Sequence, residues 1–176
     1  MTKLLSFRGI ITADDNARML NQQIFSYESP DLTRAWKVKS FYLWPQTVRA
    51  ETGTGEGQWQ LSGSLATDNS GALGFEQIMN VADNRQIGWI SKGYNLRDGP
   101  VSDFISGPTG LQDNMAILDP DHVVNRHLYI NFYVTSESST SPERKYNYLL
   151  VLEEIKVTES EAILQIVKGV AQDIRN

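Results

Sequence analysis

The chain has no cysteine among its 176 residues. That single absence excludes a disulfide framework, a thiolate zinc site and a cysteine nucleophile. Long apolar runs are missing too, and none approaches the roughly 20 residues that a membrane-crossing helix needs. The first residues, "MTKLLSFRGIITADD", carry an apolar run that Arg8 interrupts, so no secretion signal is expected and synthesis in a cytoplasm is. Positive charge is also in short supply: 16 Lys and Arg face 21 Asp and Glu, for a net charge of −5. A protein whose main task is to neutralise nucleic-acid phosphates would have the opposite balance. Only Arg34, Lys37, Lys39 and Arg49 form a local basic cluster, around one predicted strand. Internal repeats and low-complexity arrays are absent as well.

What remains is an ordinary globular composition, 40% hydrophobic and 21% charged, at a length that suits one domain with one sizeable core. Alternation dominates the pattern. In "AWKVKSFYLW" strict alternation places Trp36, Val38, Ser40, Tyr42 and Trp44 on one face and Lys37, Lys39, Phe41 and Leu43 on the other, up to Pro45. "QWQLSGSLAT" sets Trp59, Leu61, Gly63 and Leu65 against Gln60, Ser62 and Ser64. "HLYINFYV" sets Leu128, Ile130, Phe132 and Val134 against Tyr129, Asn131 and Tyr133. "LLSFRGII" and "RQIGWISKGYN" read as further strands, and the apolar middle of "YNYLLVLEEIKV" suggests burial on both faces. Gly, Pro, Asn and Asp clusters punctuate these runs, and such a series of short strands predicts an all-β sandwich or barrel.

From residue 158 the period changes. Thr158 followed by Glu161 is a capping-box signature, and Ile163, Ile166, Val167, Val170 and Ile174 share a helical face. The expected organisation is therefore a β-sandwich domain over 1–157 and a C-terminal α-helix over 158–176, packed on the domain or on a neighbouring subunit. Its polar face lacks the row of basic residues that a membrane-surface helix would carry.

Chemistry-bearing residues are most concentrated in "LDPDHVVNRH", with Asp119, Asp121, His122 and His127. Asp-Pro-Asp is turn chemistry, because proline presets φ and aspartate side chains accept backbone hydrogen bonds. Residues five apart on a strand point to opposite faces, and His122 and His127 miss the helical spacing of a zinc-binding pair. A metal-dependent, cupin-like enzyme would have to recruit both with a glutamate; a turn leading into a strand is the preferred reading. Glu153 and Glu154 project to opposite faces of a strand and form no acid/base pair. "GTGEG", Gly53 to Gly57, lacks the Gly-Lys-Ser/Thr ending and following helix of a phosphate loop, and reads as a hairpin connection. The four tryptophans Trp36, Trp44, Trp59 and Trp89 all fall on predicted strands. They are either core or a platform on which a ligand stacks. No catalytic residue, metal site or cofactor is expected.

Two stretches, "LDPDHVVNRHLYINFYV" and "YNYLLVLEEIKVTESEAILQIVKGVAQDI", cover about the last third of the chain. Their pattern, "DPDH…LYI", then "NY…LEE", then a terminal "EAIL…KG.AQD", resembles small virion structural proteins of uncultured marine bacteriophages. The resemblance implies a capsid or capsid-associated protein with a single jelly-roll sandwich, made in the host bacterial cytoplasm and located in the virion. It also implies partners among its own copies and other virion proteins, hence a homo-oligomer with no enzymatic activity. The alternative is a carbohydrate- or receptor-binding sandwich of a phage spike or fibre, with a glycan on one of the four tryptophans.

Overall fold

The computed structural model describes residues 3–14, 17–28, 31, 33–46, 58–69, 71–97, 104–105, 115–136, 143–164 and 167. The strands are β1 (Leu4–Asp14), β2 (Arg18–Ser26), β3 (Arg34–Pro45), β4 (Gln58–Ala66), β5 (Gln86–Arg97), β6 (Phe104–Ile105), β7 (Ile117–Leu118), β8 (His127–Ser136) and β9 (Glu143–Lys156). They build two antiparallel sheets, one in the order β1-β9-β3 and the other β2-β8-β4-β5-β6, with β7 also on β5. The pairing is nested: β1 with β9, β2 with β8, and β4 with β5. β3 completes the series by bridging the segment that contains β7, at Tyr42–Met115 and Trp36–Val124. Nesting of this kind is one long antiparallel ribbon rolled into a two-sheet sandwich, the jelly roll.

Alternation explains which side chains fill the space between the sheets. Leu61 and Leu65 of β4, and Leu128, Ile130, Phe132 and Val134 of β8, all lie in the core, as their period of 2 requires. In β3 the period is broken. The register against β9 shifts between Val38 and Ser40, leaving Lys39 as an extra residue. A bulge moves everything beyond it to the other face. Trp36 and Val38 are therefore buried before it, and Phe41 and Leu43 after it, while Tyr42 and Trp44 are only half-buried. The uniform alternation expected for β3 is corrected here, and its cause is this one-residue insertion.

Strand β2 has no counterpart among the sequence-predicted strands. Its centre, Asn21-Gln22-Gln23, is polar, and its register shifts twice against β8. At the first shift Asn21 takes φ of 56°, a left-handed value that asparagine tolerates better than most residues. Its backbone N–H donates to Asn131 Oδ1 at 2.7 Å and its side-chain amide to the Gly71 carbonyl at 2.8 Å. Asn131 is fully buried although it points away from the core, because residues 67–69 and 71–85 fold over the outer face of this sheet. Leu73 and Ile78 of that cover are buried, and Phe75 meets Tyr133 edge to face at 5.2 Å.

At the carboxyl end the capping box forms. The Thr158 N–H donates to Glu161 Oε2 at 2.8 Å, and the Glu161 N–H donates to Thr158 Oγ1 at 3.2 Å. These bonds hold the Glu161 carboxyl below its ordinary range. Residues 159–164 are helical and Ala162 is buried, whereas Ile163, Leu164 and Val167 are exposed. Ile166, Val170 and Ile174 of the expected stripe lie outside the described residues. No helix among the described residues is long and apolar enough to cross a membrane.

Gly63 marks the tightest approach inside the second sheet. A Cβ there would lie 2.8 Å from Phe132 Cβ and 3.0 Å from the Asn131 carbonyl oxygen. Both atoms belong to rigid backbone or its first carbon, so neither yields cheaply. Gly63→Ala is expected to lower unfolding stability by about 1–3 kcal/mol, the usual cost of overpacking, as read from urea unfolding followed by fluorescence.

Candidate functional site

The Asp119–His122 turn is built by its own side chains. The Asp121 N–H donates to Asp119 Oδ1 at 3.0 Å, and the His122 ring Nδ1 bonds the Asp119 carbonyl oxygen. His122 Nε2 then accepts the Val38 N–H of β3 at 2.8 Å. With Nδ1–H donating and Nε2 accepting, the imidazole is held as one neutral tautomer. Burial pushes its pKa below the ordinary value of 6.5, with the Lys37 charge acting in the same direction and the Asp119 bond opposing both. His127 starts β8 with its ring 6.1 Å from that of Tyr129. The two histidines thus serve different elements, and among the described residues no group of three His, Cys, Asp or Glu is placed to hold a metal ion.

Beside this turn opens a cleft of about 810 Å³ between residues 67–68 and 81–89 on one side and 117–127 on the other. β7 anchors one wall to β5 through the pairs Gly88–Leu118 and Trp89–Ile117. Gly88 permits this approach, since a Cβ there would lie 2.9 Å from Leu118 Cδ2. The other wall is held by a buried ion pair: Arg85 Nε and Nη2 each donate to the Asp83 carboxylate at 2.9 Å. Such bidentate contact satisfies both charges where water is excluded. Trp89 borders the cleft, and its indole N–H donates to Gln86 Oε1 at 3.0 Å. Gln86 Nε2 donates in turn to the Gln77 carbonyl at 2.6 Å, so the ring plane is fixed from behind. Asp68, Asn84, Asp121 and Asn125 belong to the polar lining, with Arg126 and His127 beside them.

The four tryptophans do not form one platform. Trp36 is removed as a stacking candidate: it is 2% exposed, packed edge to face against Phe25 at 6.0 Å and Tyr27 at 5.5 Å. Trp44 is half-buried, displaced from the Trp36 face by the Lys39 bulge. Trp59 lies on β4, but its side chain is outside the described residues, as is the whole of Gly53 to Gly57. Among the described side chains, Trp89 is the tryptophan that borders the large cleft. Of the polar residues around it, Asp121 stands out in the sequence, whereas Asp68 and Asn84 do not, because they come from the connection between β4 and β5 that long-range strand pairing brings to the 119–126 segment.

Glu153 and Glu154 are each matched by a cation of β3. Glu153 Oε2 lies 2.9 Å from Lys39 Nζ and Glu154 Oε1 lies 3.4 Å from Arg34 Nη1. These pairs occupy two of the four cations in the expected basic cluster, and Arg49 lies outside the described residues.

The outward face of the β1-β9-β3 sheet is different in kind. Register places Leu4, Ser6, Arg8 and Ile10 of β1 beside Glu153, Val151, Leu149 and Asn147 of β9. Ser40, Tyr42 and Trp44 of β3 continue the face. Leu4 is 61% and Ile10 56% exposed, while Leu149, Val151, Tyr42 and Trp44 are half-buried. Burial of β9 on both faces, expected from its apolar middle, is therefore full on the inner face and partial on the outer. Fold and surfaces together define a jelly-roll sandwich with a polar cleft on one flank and an apolar face on one sheet. The chain matches no protein-family model and no curated protein.

His122 makes stability depend on pH. Its folded pKa is depressed, so the unfolded chain binds the proton more readily as pH falls through about 6.5. Stability is expected to be lost progressively from about pH 6.5 downward until the folded group titrates, and to be unaffected by this group above that range. Urea midpoints at about pH 5 and about pH 7.5 should differ less in His122→Gln than in the parent chain. An equal difference in both would remove His122 as a cause.

Proposed function

We propose that the chain is a non-enzymatic virion structural protein of a bacteriophage, capsid or capsid-associated, that works by binding copies of itself. The observation that carries this reading is the apolar outer face of the β1-β9-β3 sheet. Leu4, opposite Glu153, and Ile10, opposite Asn147, are exposed towards the two ends of β1, and the half-buried Leu149 and Val151 lie between those levels on β9. Exposed aliphatic side chains on a sheet face, interspersed with polar residues such as Ser6, Arg8 and Asn147, suit a surface that another molecule covers. Strand β1, 11 residues long, is also the edge of its sheet, and among the described residues no strand pairs with its outer side. A long edge of this kind invites lateral pairing unless a neighbour covers it. Ile163, Leu164 and Val167 add a second exposed apolar surface on the terminal helix. A second copy supplies both surfaces at once, and closed symmetric assembly is the ordinary outcome for one chain type. The resemblance of the last third to phage virion proteins supports the setting, and the jelly roll is an architecture that capsids use.

Light scattering on the purified chain is expected to give a mass well above 19.8 kDa, and negative-stain microscopy should show defined oligomers, sheets or shells. Ile10→Glu combined with Leu164→Glu should weaken association by about tenfold or more with an unchanged circular-dichroism spectrum, because both sites are exposed within the single chain. A clean monomer of the parent chain at every concentration would overturn the reading.

A further inference from the structure

The cleft beside the Asp119–His122 turn is not needed for self-association, and its chemistry points elsewhere. Its volume of about 810 Å³ lies inside the range of roughly 300–1,000 Å³ in which proteins hold small ligands. Two properties narrow the ligand. The first is an aromatic ring held in advance: the Trp89–Gln86–Gln77 hydrogen-bond chain fixes the indole, so no ring ordering remains to be done on binding. The second is a lining rich in hydroxyl partners and poor in cations. Asp68, Asp119, Asp121, Asn84 and Asn125 line it, Asp83 is neutralised by Arg85, and among the described residues the lining has one Arg or Lys, the exposed Arg126, beside the rings of His122 and His127. The carboxylate of Asp121 is not consumed by its turn, which uses the Asp121 main-chain N–H and the Asp119 side chain. An anionic ligand would meet this acidic lining as a like charge. An uncharged polyhydroxylated ring satisfies all of it: its C–H face packs on the indole, and its vicinal hydroxyls donate to carboxylates and exchange hydrogen bonds with the amides.

We infer that this cleft binds a neutral glycan, with Trp89 as the stacking surface and Asp121, Asp68 and Asn125 as hydroxyl partners. The site stands independently of self-assembly, and the two readings fail separately. The test is a glycan array on the intact chain, followed by titration of the hits monitored by tryptophan fluorescence. Hits are expected among neutral glycans, with affinity little changed across about a tenfold range of salt, since no ion pair is screened. Trp89→Ala should abolish binding. Asp121→Ala should weaken it about tenfold, with unchanged circular dichroism because that carboxylate is exposed and holds no part of the turn. If Trp89→Ala fails to fold, Asp121→Ala alone decides. The Ile10→Glu variant should bind as the parent does. No neutral-glycan hit, binding that survives both cleft variants, or binding that salt abolishes would each overturn the assignment.

Discussion

The amides along the far edge of β3 must find partners in a place that water does not reach, and much of the molecule follows from how they do so. One edge of β3 is fully paired to β9. The other is met by residues 115–124, which form no continuous strand there. Ala116 donates to the Phe41 carbonyl at 2.8 Å, Trp36 and Val124 exchange two bonds at 2.8 Å, and His122 Nε2 takes the Val38 N–H between them. A side chain thus replaces a missing backbone partner in the ladder. Leaving that buried donor unmatched would cost about 1–3 kcal/mol. Because the same segment also pairs with β5 through Leu118, it ties the edge of one sheet to the edge of the other and closes that flank of the sandwich. The cleft lies along this closure.

The histidine in the "DPDH" motif is therefore a construction element. The feature that first suggests a metal or a catalytic base, an imidazole among carboxylates, is explained by hydrogen bonds on both ring nitrogens. Asp119 serves the turn through its carboxylate and its carbonyl, and Asp121 contributes its main-chain N–H. Aspartate at 119 caps the turn, proline at 120 fixes its direction, and histidine at 122 reaches across to the strand that needs a partner. Among the described residues the Asp121 carboxylate is left over from that arithmetic, so of the turn's side chains on the cleft it is the one whose acceptors are not engaged by the turn.

Legibility followed range. Where a strand obeys its own period, as in β4 and β8, alternation identified the inward residues directly, and the Thr158–Glu161 cap was readable from spacing alone. β3 failed at one residue. Nothing in "WKVKSFYL" announces that Lys39 stands outside the register, because the bulge is imposed by the partner strand, with Glu153 pairing the displaced lysine. β2 was invisible for the opposite reason: Asn21, Gln22 and Gln23 carry no apolar period, and the strand is held instead by Asn131 and Gly71, both distant in sequence. The cleft was least legible of all. Trp89 could be named from its strand, but its companions Asp68, Asn84, Asp121 and Asn125 meet only through the jelly-roll nesting.

The two sheets handle their outer faces in opposite ways. On the β2-β8-β4-β5 sheet the outward residues include the polar Ser62, Ser64 and Asn131, yet these are buried, because residues 67–69 and 71–85 fold over that face. On the β1-β9-β3 sheet the outward residues include Leu4, Ile10, Leu149 and Val151, and among the described residues no segment folds over them. Hydrophobic burial alone would favour the reverse, with the chain's own cover placed on the apolar face. The polar face is covered because its hydrogen-bonding groups give a loop specific anchors, such as Asn21 to Gly71 and Gln86 to Gln77. The other face mixes Leu4, Ile10, Leu149 and Val151 with Ser6, Arg8 and Asn147, and among the described residues no loop is anchored on it. The proposed self-association and the proposed ligand binding thus fall on different surfaces: polar groups with directional bonds organise the chain's own loops and the cleft between them, and the exposed aliphatic side chains stand on the other sheet.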